Sequence, residues 1–420
     1  MTDPQNCALI CVIDRLAASW LGPYGNTWIE TPAANQLAAE SVLFENALAD
    51  SPGLAKLYGS YWTGRHAVCH ETDDFQNVIG ELTNRGINTL LVTDERLVAE
   101  HPLSAGFASR IEVPAPARET AARQILETGL ANVFSAALAA LAELEPPFLL
   151  WMHSQGMSAP WDAPYELRES FAAEDDPQPH DFTAVPSYEL PEDYDPDDIL
   201  GTVHAYAGQV TLLDECLAGL VAALAERNRM PLLTLLTSPR GFPLGEHRIV
   251  GDASPALYSE TLHVPYLLRR PGGDQGLRRV HRFVQPPDLA ATMADWFQIP
   301  TPLTGSLARS TLQLANGPTG QLDDRAYALQ GDELVFRTPA WQWKLPVKAS
   351  EEEGSIESED SRAELFVKPD DRFEANNVAE RCPDVVQAMH ETAQEFDTAV
   401  AHCDMQQLHD LSDVLVHGLN

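Results

Sequence analysis

The sequence predicts an α/β protein: a large, mostly parallel mixed sheet sandwiched by helices, followed by a smaller C-terminal antiparallel sheet with a packed helix. Up to about residue 320, short apolar runs alternate with segments of helical periodicity. Parallel strands joined by crossover helices require that alternation. Beyond residue 321 the runs become short, closely spaced and separated by turns, the pattern of hairpin-linked antiparallel strands. Two domains are therefore expected, 1–320 and 321–420, the first carrying an acidic surface excursion near 160–198.

In chain order, Cys7 to Ile13 is a continuous apolar run and reads as a strand buried on both faces. Thr31 to Glu40 reads as a helix, with Thr31 as cap and Pro32 in the first turn. Phe75 to Asn84 reads as a helix before the strand Asn88 to Val92. Glu119 to Leu144, rich in Ala and Leu at helical spacing, reads as one long helix leading into the strand Phe148 to Met152. From Pro160 to about Pro196 the chain is Pro-rich, acidic and aperiodic, as in a long surface loop. Ala205 to Arg227 places Val210, Leu213, Leu217, Leu220, Val221 and Leu224 on one helix face, ahead of the strand Leu232 to Leu236.

In the C-terminal part, Arg325 to Gln330, Leu334 to Arg337, Gln342 to Pro346 and Ala363 to Val367 read as strands, with a turn at Gly331-Asp332 and a polar loop from Glu351 to Asp360. Pro383 to Val400 reads as a helix facing inward through Val386, Met389, Ala393, Phe396 and Val400. No internal repeat is present.

The 420 residues and 44% hydrophobic content suffice for a substantial core. A formal net charge of −35 argues against binding a phosphate backbone, which needs a clustered basic face. Much of the excess is local, since no Lys or Arg occurs from Glu169 through Glu226. Solvated acidic loops account for it more simply than a cation site does. The first apolar run is too short for a signal peptide or a membrane span, so a soluble cytoplasmic protein is expected. The six cysteines (Cys7, Cys11, Cys69, Cys216, Cys382, Cys403) lack metal spacing and read as free, mostly buried thiols.

A more specific signal lies in the order of short motifs. The strand ending at Asp14 is followed by Leu21-Gly-Pro-Tyr-Gly25, Thr31-Pro32, Leu37-Ala-Ala-Glu40, Val42-Leu-Phe44, Ala47 and Thr63-Gly-Arg65. Further on come Tyr206 to Asp214, Val264 to Gly272, Asp288 to Asp295 and Glu364 to Val378. Taken together this set resembles the sulfatase family of the alkaline-phosphatase superfamily. The resemblance implies an alkaline-phosphatase-like fold. It also implies a sulfuric ester hydrolase site: a formylglycine nucleophile made from Cys or Ser, a divalent cation (usually calcium), and Lys, Arg and His side chains around the transferred group.

The family's site positions fall on unexpected residues. The first-strand acid pair becomes Asp14-Arg15, and counting back from Thr63 puts the nucleophile at Leu54, with Lys56 for the family's Pro and Tyr58 for its Arg. Asp94 and Arg96 stand at the Lys and His of another motif, Ser158 at a further His, and Ser254 at a second Lys. Leu236 to His247 matches the second metal motif closely, yet its two ligand positions are Pro239 and Arg240. Asp14 alone keeps a metal-ligand type. Calcium takes six to eight oxygens, several of them from carboxylates, so no metal or other cofactor is expected.

A carboxylate left buried without its metal is costly unless paired. A guanidinium, foremost that of Arg240, is therefore expected to pair with Asp14; the alternative is that Arg15 and Arg240 both point to solvent. The function expected is that of a pseudoenzyme acting through binding or assembly, with an unknown protein or a small anion as partner and neither nucleic acid nor membrane. Lys56, Arg96 and Arg240 would supply charge for the anion. Two alternatives stay open. One is an active sulfuric or phosphoric ester hydrolase using Asp14, Ser51, Ser60, His66, His153 and His247. The other is a partner subunit engaging a second protein through its acidic segment.

Overall fold

The computed structural model describes residues 5–69, 77–254, 257–299, 308–315, 324–331, 333–345, 363–402 and 408–419. Its strands in chain order are β1 (Cys7–Ile13), β2 (Val42–Ala47), β3 (Asn88–Thr93), β4 (Ser109–Glu112), β5 (Phe148–Ser154), β6 (Tyr188–Glu189), β7 (Leu232–Thr237), β8 (Ile249–Val250), β9 (Tyr266–Arg269), β10 (Arg278–Val284), β11 (Ala326–Gln330), β12 (Glu333–Arg337), β13 (Trp341–Leu345) and β14 (Glu364–Val367). Among the described residues, the main sheet runs β10-β2-β9-β7-β1-β5-β3-β4 and the second β11-β12-β13-β14. In the main sheet β7, β1, β5, β3 and β4 are parallel, while β9 is antiparallel to both neighbours. The second sheet is antiparallel throughout. This is the α/β architecture expected from the sequence.

The chain divides into two compact units, each drawn from separated stretches. Unit 1 comprises Met1–Glu45, Ile79–Ser254 and His263–Val280; unit 2 comprises Asn46–Val78, Pro255–Leu262 and His281–Asn420. This differs from the single cut expected at 320/321, because three stretches ahead of that point belong to unit 2.

In unit 1 the central strands β1, β5 and β7 are buried along their whole length. An apolar run without alternation does this when helices cover both faces. The helix Asp197–Glu226 buries Val210, Leu213, Leu217 and Leu220 in that core. It is long and apolar enough to cross a membrane by composition alone, but 67% of its apolar window is buried in the protein, as in a core helix.

Two sequence readings in unit 1 are corrected. The helix expected over 119–144 begins at Gly129. Thr128 caps it by accepting from the Ala131 amide at 3.2 Å, while Thr120 bridges to Phe182 and the Ala121 amide bonds to Asp181 O. Tertiary pairing there outweighs local helix propensity. The segment 160–196 is not a structureless excursion. It contains the helix Tyr165–Glu169 and strand β6, and the fully buried Arg168 ties it together by donating to the carbonyls of Trp161, His180 and Phe182. The acidic stretch 192–198 is mostly exposed, and the long helix starts within it at Asp197 rather than at Ala205.

In unit 2 the antiparallel sheet packs through Tyr327, Phe336, Trp341 and Trp343 with the helix Pro383–His402, whose Val386, Met389, Ala393 and Phe396 are buried. Asp332 of the expected Gly331-Asp332 turn, the end of the expected strand at Pro346, the loop Glu351 to Asp360, the start of the expected helix at Phe75, the side chain of Val400 and Cys403 lie outside the described residues.

Candidate functional site

In open α/β sheets the carboxyl ends of parallel strands are where ligand sites form. In unit 1, β1 lies between β5 and β7 with Val12 level with His153 on one side and Thr237 on the other. The residues after these strands, Asp14-Arg15, Gln155 to Ser158 and Ser238 to Arg240, are thereby gathered at one sheet edge. Gly156 is required there. Its φ is 54°, and a Cβ would stand 2.6 Å from the Asp14 carbonyl.

Asp14 is wholly buried and takes four hydrogen bonds. Its Oδ1 accepts from the Arg15 amide at 2.9 Å and from Arg240 Nε at 3.0 Å. Its Oδ2 accepts from Arg240 Nη2 at 3.0 Å and from Ser158 Oγ at 3.1 Å. This is a bidentate, fork-on-carboxylate pair, the geometry that favours Arg over Lys. Burial alone would raise the Asp14 pKa. The Arg240 guanidinium, with Arg15 and His153 close by, holds it below the ordinary carboxylate value instead.

The loop after β7 presents Arg240 in this position. Ser238 Oγ donates to Arg240 O at 2.6 Å and accepts from the Leu16 amide at 3.2 Å, pinning the turn. Pro239 between them is buried and offers no side-chain ligand. Arg15 is also buried, at a φ of 63° that non-glycine residues seldom adopt. Its guanidinium donates to Gly241 O at 3.2 Å and pairs with Asp252, while its own carbonyl accepts from Tyr206 Oη at 2.7 Å. Neither arginine is turned to solvent. His153 is fully buried, and burial first, then Arg240, drive its pKa down to about 4, so it is neutral at pH 7.

Asp94, after β3, is held differently. Its Oδ1 accepts from the Gln155 amide at 2.7 Å and its carbonyl from Gln155 Nε2 at 3.1 Å. With no cation among its causes, burial pushes its pKa up to about 7. Arg96 does not join the group. It sits on a short surface helix with its side chain 82% exposed and donates to Glu100 at 2.8 Å. Ser254 is half-buried at a bend.

Leu54 and Tyr58 lie in unit 2, on the helix Leu54–Thr63. Leu54 is its first residue and is 5% exposed; the Tyr58 ring packs edge-on against Tyr61 and Trp62. Both are packing residues, and Lys56 is exposed. The other candidates from unit 2 are engaged as well. Ser60 Oγ donates to Asp50 at 2.6 Å, Ser51 Oγ accepts from the Gly53 amide, and His66 uses both ring nitrogens on the backbone of Val68 and Tyr327. His247, in unit 1, adopts a left-handed φ of 53°.

The calcium implied by the fold can be tested against this donor set. An ionised carboxylate has about four lone-pair sites, and all four hydrogen bonds at Asp14 come from N–H and O–H donors, two of them cationic. Among the described residues, no group of three or more His, Cys, Asp or Glu could hold a metal ion. The residues present do not fit calcium. Sequence reasoning missed Asp252 as the partner of Arg15 and Ser158 as a donor to Asp14.

The fold and the position of this cluster define an alkaline-phosphatase-like protein of the sulfatase type. The family model for sulfatases matches residues 7–299, and the chain belongs to the sulfatase family. No curated protein matches the sequence. Among solved structures it is similar to a phosphonate monoester hydrolase of Agrobacterium radiobacter (16% identity, TM-score 0.72, covering 96% of each chain). It is also similar to a 2-O GAG sulfatase (16% identity, TM-score 0.71, covering 97% of this chain and 95% of that one). A third similar structure was solved in complex with its substrate, D-glucosamine-2-N,6-O-disulfate (13% identity, TM-score 0.69, covering 94% of this chain and 98% of that one). At these identities the likeness is one of fold.

Proposed function

We propose that this chain is a sulfatase-fold protein that has given up ester hydrolysis and acts by binding or as an assembly component. The observation that supports this is the bidentate seizure of Asp14 by Arg240. A permanent cation fills the coordination of the one remaining metal-ligand carboxylate, and Pro239 removes the next. The nucleophile position supports the same reading, since the alkyl side chain of Leu54 can neither attack an ester nor be converted to formylglycine. The anion-binding extension is weaker than the sequence suggested, because Arg240 is spent on Asp14 and Arg96 on Glu100.

The test is turnover of aryl sulfate, aryl phosphate and phosphonate monoesters by the purified protein, with metal content measured on the same sample. No turnover and no stoichiometric calcium are expected, and Leu54→Cys is expected to remain inactive. Turnover that disappears in Asp14→Asn would overturn the proposal, as would a Leu54→Cys variant that hydrolyses aryl sulfates.

A further inference from the structure

Unit 2 contains a cavity of about 20 Å³ lined by His66, Gln285, Asp288, Arg309, Arg325 and Phe396. That is room for one occupant of about the size of a water molecule. The lining is short of acceptors. Arg325 has a fully buried side chain whose Nε donates to Asp324 at 2.9 Å and whose Nη2 donates to His409 O at 2.9 Å. Its third nitrogen, Nη1, is buried and has no partner among the described residues. A buried guanidinium nitrogen left without an acceptor costs more than an ordinary missed hydrogen bond.

The other groups around the cavity are already committed. His66 gives Nε2 to Tyr327 O at 3.0 Å and receives the Val68 amide at Nδ1, so both ring nitrogens are used. The Gln285 amide is spent in both directions on the backbone of Tyr327. The Asp288 carboxylate takes three hydrogen bonds, from the amides of Gln285 and Arg309 and from Arg309 Nη2. Phe396 supplies only ring surface. What remains is a demand for an acceptor that brings no hydrogens of its own, beside two guanidinium groups and one carboxylate. A water would satisfy Nη1 but would add two hydrogens to a lining whose acceptors are largely engaged.

We propose that this cavity is a structural site for one monoatomic anion, a halide, bound by Arg325 Nη1 with Arg309 beside it. The ion would complete the coordination of Arg325 and so brace the start of β11 against the helix Pro383–His402, which contributes Phe396, and the segment around His409, which contributes a carbonyl.

Two measurements on the whole protein test this. Crystals grown in sodium bromide are expected to show one anomalous peak in the cavity within contact distance of Arg325. In thermal melts at fixed ionic strength, replacing gluconate by chloride or bromide is expected to raise the melting temperature by a few degrees along a saturating curve, as for any ligand that binds only the native state. The increment should vanish in Arg325→Met. Should that variant fail to fold, Arg325→Lys keeps the charge but lacks Nη1 and serves as the comparison, and the bromide map of the wild type decides independently. A water or empty density in the cavity at high bromide, or the same halide increment in wild type and variant, would overturn the site.

Discussion

Asp14, fully buried, and Asp94, half-buried, are carboxylates of unit 1 that both stand just past the carboxyl end of a parallel strand, and their pKa values are driven in opposite directions. Asp14 meets a bidentate guanidinium and is held ionised below the ordinary carboxylate range. Asp94 meets amide and hydroxyl donors without a cation and is pushed up to about 7. Burial is the largest influence in both, so the partner decides the sign. The resemblance implies a cation at the position of Asp94 and a metal ligand at that of Asp14; here the Asp14 charge is balanced by Arg240, while Asp94, with no such partner, is shifted toward its protonated form.

Removing the guanidinium should make Asp14 behave like Asp94, and this is the largest effect expected. Arg240→Met leaves a buried carboxylate with an amide and a hydroxyl as its remaining close donors. Breaking a buried pair from one side costs about 3–5 kcal/mol, which urea unfolding at pH 7 would register. Asp14→Leu with Arg240→Met removes both charges and should recover most of that loss, because buried pairs are often replaceable by apolar groups of similar volume. A single variant as stable as wild type would mean that Arg240 contributes nothing to holding Asp14.

That Arg240 would answer Asp14 could be argued from sequence because it is a matter of charge. A buried strand-end carboxylate without an ion needs a cation, and the resemblance over Leu236 to His247 pointed to Arg240 as the residue to supply it. The core strands were legible for a similar reason, since Cys7 to Ile13 is apolar without interruption and is buried without interruption. What was not legible depended on distant pairing or on side-chain direction. Asp252 is 237 residues from Arg15, and no local pattern joins them. The resemblance placed Arg96 at a site position, but its short helix turns it toward solvent and Glu100. Residues 119–128 have helical composition, yet Thr120 and Ala121 are claimed by 181–182 and Thr128 caps the next helix. The division into units was hidden because unit 2 gathers 46–78 and 255–262 from within the expected first domain.

A smaller effect separates the two carboxylates by pH. Asp94 has a folded pKa of about 7, above its unfolded value near 4. Between those values the folded state binds the extra proton, so stability is lost as pH rises from about 4 to 7, at up to roughly 1.4 kcal/mol per pH unit from this group. Asp14 has the opposite sign: its contribution is present above the unfolded pKa and is lost as pH falls through the lower, folded value. Asp94→Asn keeps an oxygen acceptor for the Gln155 amide but cannot ionise. The variant should gain on wild type steadily from pH 5 to pH 7 in urea titrations. Parallel stability profiles for the two proteins would show that Asp94 ionises in the folded state as readily as in the unfolded one.

Ser158→Ala is expected to have the smallest effect and sharpens the comparison most finely. Ser158 Oγ is one of four donors on Asp14, and it also donates to Gln155 O at 2.8 Å, in the turn that Asp94 holds from its other side. A hydroxyl has only one hydrogen, so the two acceptors share it. The bond to an already paired carboxylate should then fall at or below the low end of the charged hydrogen-bond range, about 1.5 kcal/mol. Because Arg240 keeps Asp14 ionised in the variant, the loss should be nearly constant from pH 6 to pH 8, where Asp94 titrates. A loss that instead changes across that window would mean that the Ser158 proton moves to Gln155 O as Asp94 ionises, and that the two carboxylates are coupled through their shared turn.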